Sequence, residues 1–165
     1  FHGNPSGLDA SMALRGGGAI FSRSRGVRSI KVPPLPIGIF HSKEQGDTGK
    51  MVRRFKESLQ SRGNKAIRLL QQFDEVIDRG IQALRTGDLE LFGAAMNENH
   101  ELLRQSGVST PSLDRIVNLA DEAGALGAKL TGGGGGGCAI VLTNPGDLKV
   151  AAKLTEAGFK QVEMR

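Results

Sequence analysis

From about Thr48 onward, apolar residues recur at helical spacing. Met51, Val52, Phe55 and Leu59 fall three or four apart, and the run ends near Arg62 and Gly63. A second helix carries Ile67, Leu70, Phe73, Ile77, Ile81 and Leu84 on one face. Thr86, Gly87 and Asp88 stop it and start a third. That helix buries Leu89, Phe92, Met96 and Leu103 and stops at Gly107. Ser109, Thr110 and Pro111 open a fourth, with Leu113, Ile116, Val117 and Ala120 inward. Pro111 suits a first helical turn, where its missing N–H costs nothing. The fourth helix runs into Gly124, Gly127 and then the glycine run at 132–137. Cys138, Ala139, Ile140, Val141 and Leu142 read as a strand. A helix follows from Gly146 or Asp147 to Ala157, and 159–164 reads as a last strand with Val162 and Met164 on one face.

The first 33 residues are patterned differently. A polar Gly/Pro/Ser loop leads to a short segment at 11–14 and then Gly16, Gly17 and Gly18. Ala19, Ile20 and Phe21 form one short strand; Ile30, Lys31 and Val32 form another. The Ser/Arg/Gly stretch between them reads as a hairpin loop. Pro33, Pro34 and Pro36 mark a domain boundary, and Ile37, Gly38, Ile39 and Phe40 start the next domain as a buried strand. The order is two short strands, a linker, then β-α-α-α-α-β-α-β. This is an α+β arrangement with no repeated βαβ unit and no internal repeat.

Composition narrows the function classes. A chain of 165 residues holds one ordinary domain, or one and a fragment of another. Its 24 glycines are about twice average usage but follow no G-X-Y period. The net charge of +5 is scattered. The densest basic stretch, 15–31 with Arg23, Arg25 and Arg28, offers only Phe21 for base stacking, so nucleic acid is not the expected partner. Cys138 is the only cysteine, which excludes an intrachain disulfide and a cysteine metal site and suits a reducing, cytoplasmic setting. His2, His41 and His100 lack metal-ligand spacing, so no metal site is expected in this chain. The sequence has neither an 18-residue apolar run nor a signal-peptide pattern, so no membrane partner is expected. The chain opens on Phe1 rather than Met, directly before a dense motif, and the expectation is that its beginning lies elsewhere.

That motif is His2, Gly3, Asn4, Pro5, Ser6, Gly7, Leu8 and Asp9. Two glycines and a proline force an irregular backbone, which can present N–H groups to an anion. Asp9, near a helix start, is placed to accept or orient a substrate hydroxyl proton, as phosphoryl transfer requires. Ser6 and Asp9 also fit a capping box, and the two readings are compatible. The run at 132–137 formally contains G-x-G-x-x-G. Its order is helix, glycines, strand, the reverse of a dinucleotide fingerprint. Residues 46–51 are too short for a Walker A loop and lack its final Ser/Thr. The glycines are either a flexible linker or a close-approach loop beside a substrate. Six flexible residues between a buried helix and a core strand cost entropy, which favours the second reading. Cys138 is read as a small core residue rather than a nucleophile.

The 2–9 stretch resembles the HGxPSGxD motif of the mevalonate kinases, within the GHMP kinase superfamily. Gly16 and Gly17 with the following strand resemble the element that comes next in that family. Met96, Asn97, His100, Glu101, Leu102 and Leu103, then residues 107–111, Leu113 and Asp114, resemble its helical signature. Residues 124–132 with the glycine run resemble its third motif.

The resemblance implies transfer of the ATP γ-phosphate to the C5 hydroxyl of mevalonate, in isoprenoid biosynthesis. Asp9 falls on the catalytic aspartate. His2, Ser6 and Thr48 fall on the substrate side, in a region that includes Ser42. Thr131, Gly132, Gly133, Gly134, Gly135 and Gly136 fall on the loop near the phosphates. The expected fold is a ferredoxin-like GHMP C-terminal domain at 34–165, with 1–33 as the tail of an N-terminal α/β domain. ATP and Mg²⁺ are the expected cofactors, the Mg²⁺ ligands coming mainly from an N-terminal half. The PxxxGLGSS loop, the Lys partner of the catalytic Asp and those ligands are absent from the sequence. The chain is therefore expected to be the C-terminal half of the enzyme, inactive alone. Its partner would be an N-terminal half, on a second polypeptide or a missing segment; a homodimer is a further expectation. Ala10, Arg15 and Gly133 depart from the usual residues, which touches substrate-side detail and not reaction type. The alternatives are another GHMP small-molecule kinase, against which the 2–9 wording argues, and a non-catalytic module that retains the fold.

Overall fold

The computed structural model describes residues 17–22 and 24–163. His2, Ser6, Asp9, the segment at 11–14 and Met164 lie outside the described residues. The chain divides into two compact units, Phe1–Leu35 and Pro36–Arg165.

In the first unit, β1 (Gly18–Ser22) and β2 (Gly26–Ile30) form an antiparallel hairpin with Ser22 opposite Gly26. The turn is held by the Arg25 N–H, which donates to Ser22 Oγ at 3.1 Å. The second strand therefore lies at 26–30 and not at 30–32. Pairing propagates outward from the turn, so Val27 opposite Phe21 enters the ladder before Ile30 does.

The second unit is α+β. Its elements are β3 (Ile37–His41), α1 (Thr48–Arg62), α2 (Lys65–Thr86), α3 (Leu89–Gln105), α4 (Pro111–Glu122), β4 (Gly127–Leu130), β5 (Cys138–Leu142), α5 (Lys149–Glu156) and β6 (Lys160–Gln161). The strands form one antiparallel sheet in the order β4-β5-β3-β6. Side-chain caps set several helix starts. Asp47 accepts from the Lys50 N–H at 2.9 Å, Asp88 from Leu91 at 2.9 Å and Thr110 from Leu113 at 3.3 Å. Pro111 takes the first turn of α4, as its backbone chemistry dictates.

Strand β4 is an addition to the sequence reading, which carried the fourth helix up to the glycine run. Gly-Ala-Lys-Leu is too short to show a period of two, and Ala, Lys and Leu favour helix in isolation. Pairing with β5 makes it a strand. The final strand is shorter than the reading at 159–164, reaching only Lys160–Gln161, with the Val162 N–H donating to Ile39 O at 2.8 Å.

One face of the sheet builds the main core. Phe40, Ala128, Leu130, Ala139 and Val141 pack against Leu113, Ile116 and Ala120 of α4, Val150 and Leu154 of α5, and Phe159. Each large apolar side chain so buried contributes about 1.5–3 kcal/mol. Cys138 is not in this core. It pairs with His41 and alternates with Ala139, so it sits half-buried on the opposite face. Burial raises its thiol pKa, which makes it a poor nucleophile.

A second cluster joins α2 and α3 through Leu69, Val76, Ala95 and Leu102, with Leu59 and Phe73 against it. The buried stripe of α2 is Leu69, Val76, Gly80 and Ala83. It is rotated from the sequence-predicted face, and Ile67, Leu70 and Ile77 are exposed. Helix α2 carries apolar residues around more than one face, and contact with α3 decides which face is covered.

Helix α3 closes the free edge of the sheet at β4. Gly93 and Gly127 meet backbone to backbone; a Cβ on either would clash with the other segment's main chain. At that distance Asn97 Oδ1 accepts from the Ala128 N–H at 2.8 Å and His100 Nδ1 accepts from the Leu130 N–H at 3.2 Å. Two side chains one helical turn apart thus satisfy two alternate N–H groups of an edge strand. Left unpaired, each such buried group costs about 1–3 kcal/mol.

Two glycine substitutions separate these roles. Gly93→Ala should lower unfolding free energy by about 1–3 kcal/mol, the usual cost of overpacking. Gly80 has negative φ, and a Cβ there meets only Ala95 at 3.7 Å and Phe92 at 3.9 Å. Gly80→Ala should therefore stabilise by about 0.5–1 kcal/mol through helix propensity. Urea midpoints of the two variants, compared with the parent, check both signs.

Candidate active site

The glycine run is the turn of the β4–β5 hairpin. Its base is closed by the Thr131 N–H donating to Cys138 O at 2.9 Å. Gly134 (φ +78°) and Gly136 (φ +126°) adopt backbone conformations that side chains rarely allow. The loop is also threaded closely against its own unit. A Cβ at Gly133 would lie 2.8 Å from Thr48 Cγ2, at Gly135 2.8 Å from Met51 Cγ, and at Gly136 2.9 Å from Glu44 O. At Gly134 it would collide with the Val108 carbonyl. The linker reading fails on this geometry. The close approach is to the first turn of α1, the exit of β3 and the turn between α3 and α4.

Backbone and side-chain bonds fix the same path. Gly135 donates to Val108 O, Gly137 to Glu44 O, and Ser42 to Gly137 O, each at 2.8 Å. Thr110 Oγ1 donates to Glu44 Oε2 at 2.5 Å, and Ser112 Oγ to Ser42 O at 2.7 Å. Ser42 is buried, and its hydroxyl accepts from the Glu44 N–H at 3.3 Å. Its polar atoms are thus used in holding the loop. Thr131, Gly132 and Gly133 remain exposed beside half-buried Thr48. Of the sequence-predicted residues, the fold brings together Thr48 and the loop at 131–136.

The electrostatics favour an anion at this wall. The first turn of α1 holds no acidic residue, so its N–H groups and macrodipole are uncompensated apart from the Asp47 cap. The Lys50 N–H bond holds the Asp47 carboxyl below its usual pKa, helped by Arg53. The N–H groups of Gly132, Gly133, Gly134 and Gly136 have no backbone acceptor among the described residues. Among the described residues, no three His, Cys, Asp or Glu side chains stand close enough to hold a metal ion.

Sequence reasoning missed the supports of this wall. Glu44 carries no mark in the pattern, and Val108, within a quoted motif, gives no sign that its carbonyl serves the loop. His100, Asp114 and Ser109 fall within a quoted motif, but nothing in spacing showed their connection. Buried His100 accepts the Leu130 N–H at Nδ1, so its proton lies on Nε2, which donates to Asp114 Oδ1 at 3.1 Å. Ser109 Oγ donates to the same oxygen at 2.5 Å. This chain ties α3, the edge strand and the turn under the loop.

Burial lowers the His100 pKa, and Asp114 only partly opposes it. The unfolded chain therefore binds this proton first, and stability is lost as pH falls below the ordinary value of 6.5. Denaturant midpoints should drop between pH 7.5 and 5.5, and less so in His100→Gln, which keeps an acceptor and a donor but does not titrate.

Residues 81–160 match the family described as GHMP kinases C terminal. The mevalonate kinase of Thermococcus sibiricus is 35% identical over 167 residues, covering 94% of this chain and 48% of that protein. That of Pyrococcus furiosus is 30% identical over 161 residues, with 94% and 48% covered. Among solved structures, L. major mevalonate kinase in complex with R-mevalonate superposes with a TM-score of 0.89 at 32% identity, covering 94% of this chain and 50% of that one. The chain spans about half the length of these relatives.

Proposed function

The chain belongs to the GHMP kinases, whose C-terminal domain occupies residues 81–160, and we propose that it works as the C-terminal half of a mevalonate kinase. The reaction moves the γ-phosphate of ATP to the C5 hydroxyl of mevalonate, giving mevalonate 5-phosphate and ADP. The observation that carries the reading is the glycine loop pinned beside Thr48, in a unit that follows the mevalonate kinase fold so closely.

Phosphoryl transfer asks little covalent chemistry of a protein. It needs positioning and stabilisation of charge on the transferred group. In the exposed stretch at Thr131, Gly132 and Gly133, beside the start of α1, the Gly132 and Gly133 N–H groups have no backbone acceptor among the described residues and supply rigid donors for phosphate oxygens. The anchors at Val108, Glu44 and Thr110 hold those donors still, so little reorganisation is needed during transfer. Thr48, with His2 and Ser6, binds mevalonate. Asp9 accepts or orients the C5 hydroxyl proton. Mg²⁺, when bound, neutralises phosphate charge; its ligands come from an N-terminal half. That half is supplied by a second polypeptide or by a preceding segment of the same polypeptide. Mevalonate and ATP are the substrates, the setting is cytoplasmic, and two copies of the enzyme form a homodimer.

The test is a chimera carrying the N-terminal half of the T. sibiricus kinase ahead of this chain. The chain alone should release ADP at background rate, and the chimera should release it in a mevalonate-dependent way. A folded chimera that phosphorylates galactose, homoserine or phosphomevalonate instead would place the activity elsewhere in the superfamily. In the active chimera, Asp9→Asn should cut kcat by about 10²–10⁴ with a much smaller change in KM. Full turnover would reduce Asp9 to a helix cap.

A further inference from the structure

Lys129 and Ile140 stand opposite each other on β4 and β5, on the face of the sheet turned away from the main core. Helices α2 and α3 flank this face and leave a cavity of about 270 Å³. That is near the lower limit of small-molecule sites, about 300–1,000 Å³. Its walls include Ile77, Ile81, Leu84, Phe92 and Met96. Its polar side chains are Lys129 and Asn99. Ile77, at 49% exposure, leaves the mouth open to solvent among the described residues.

Lys129 has no counter-ion among the described residues. No acidic side chain lines the cavity; on α3, Glu98 is paired with Arg79 and Glu101 with Arg104. Burial lowers the pKa of the Lys129 ammonium, as expected for a charge held without a partner. A cation against apolar walls is costly unless an anion reaches it. A mutually satisfying ligand has one anionic head and a hydrocarbon body.

We propose that this cavity binds an aliphatic carboxylate, its head on the Lys129 ammonium and the Asn99 amide, its chain along Ile77, Ile81 and Leu84. The site shares no lining residue with the loop at 131–136 and does not depend on the phosphoryl-transfer reading.

Calorimetry on the whole chain, with octanoate and with 1-octanol as probes, tests it. Octanoate should bind saturably at one site. 1-Octanol, which keeps the chain and loses the charge, should bind about tenfold more weakly, the size of one charge-assisted contact. Lys129→Met should weaken octanoate about tenfold and leave 1-octanol unchanged. Lys129→Arg should retain octanoate. Methionine and arginine fit a lysine-sized space, and thermal unfolding of both variants verifies that they fold. Equal octanoate affinity in Lys129→Met overturns the proposal. So does an absence of saturable binding, or a dimer seen by sedimentation whose formation excludes octanoate; in that last case a second copy is the occupant.

Discussion

The contact between α3 and the edge strand β4 governs the second unit. Gly93 and Gly127 let two backbones meet where any side chain would hold them apart. Only at that distance do Asn97 and His100 reach the outward N–H groups of Ala128 and Leu130. A short strand with weak strand propensity is thereby held on both edges, by β5 on one side and by helix side chains on the other. The same contact orients the segment that follows α3. His100 holds Asp114, Asp114 holds Ser109, and the adjacent Val108 carbonyl receives the Gly135 N–H.

The glycine loop inherits its shape from this arrangement. It leaves β4 and enters β5, so both ends are set by the sheet. Its middle is clamped by the Val108 carbonyl, by the Glu44 carbonyl and by the side chains of Thr48 and Met51. Glycine is required here for two separate reasons. Some positions need a backbone conformation closed to side chains, and others need room against neighbouring atoms. The result is a clamped loop whose exposed Gly132 and Gly133 N–H groups have no backbone acceptor among the described residues, which suits an anion-binding wall.

Much of the fold was legible in the residues. The helix at 48–62 showed its period, its start near Thr48 and its glycine stop, and Pro111 marked the first turn of α4. The strand at 138–142 was equally plain. Other elements were hidden for physical reasons. Gly-Ala-Lys-Leu at 127–130 is a strand only because β5 and α3 pair with it. The covered stripe of α2 differs from its most apolar face because α3 selects Leu69, Val76, Gly80 and Ala83. In the candidate site, Thr48 and the glycines carried signals in the sequence. Glu44 did not, and Thr110 showed only as a helix start, because the bond between them spans 66 positions.

Local sequence thus determined where most helices begin and end, and which family the motifs resemble. These properties depend on near neighbours along the chain: caps, periodicity and backbone freedom. Tertiary structure decided the rest. It chose which apolar face is buried, made a strand of four residues with little strand character, and gave an edge strand its side-chain partners. It also left Lys129 against an apolar cavity, with no counter-ion among the described residues. Each of these depends on distances between segments far apart in the chain, and no local pattern encodes a distance of that kind.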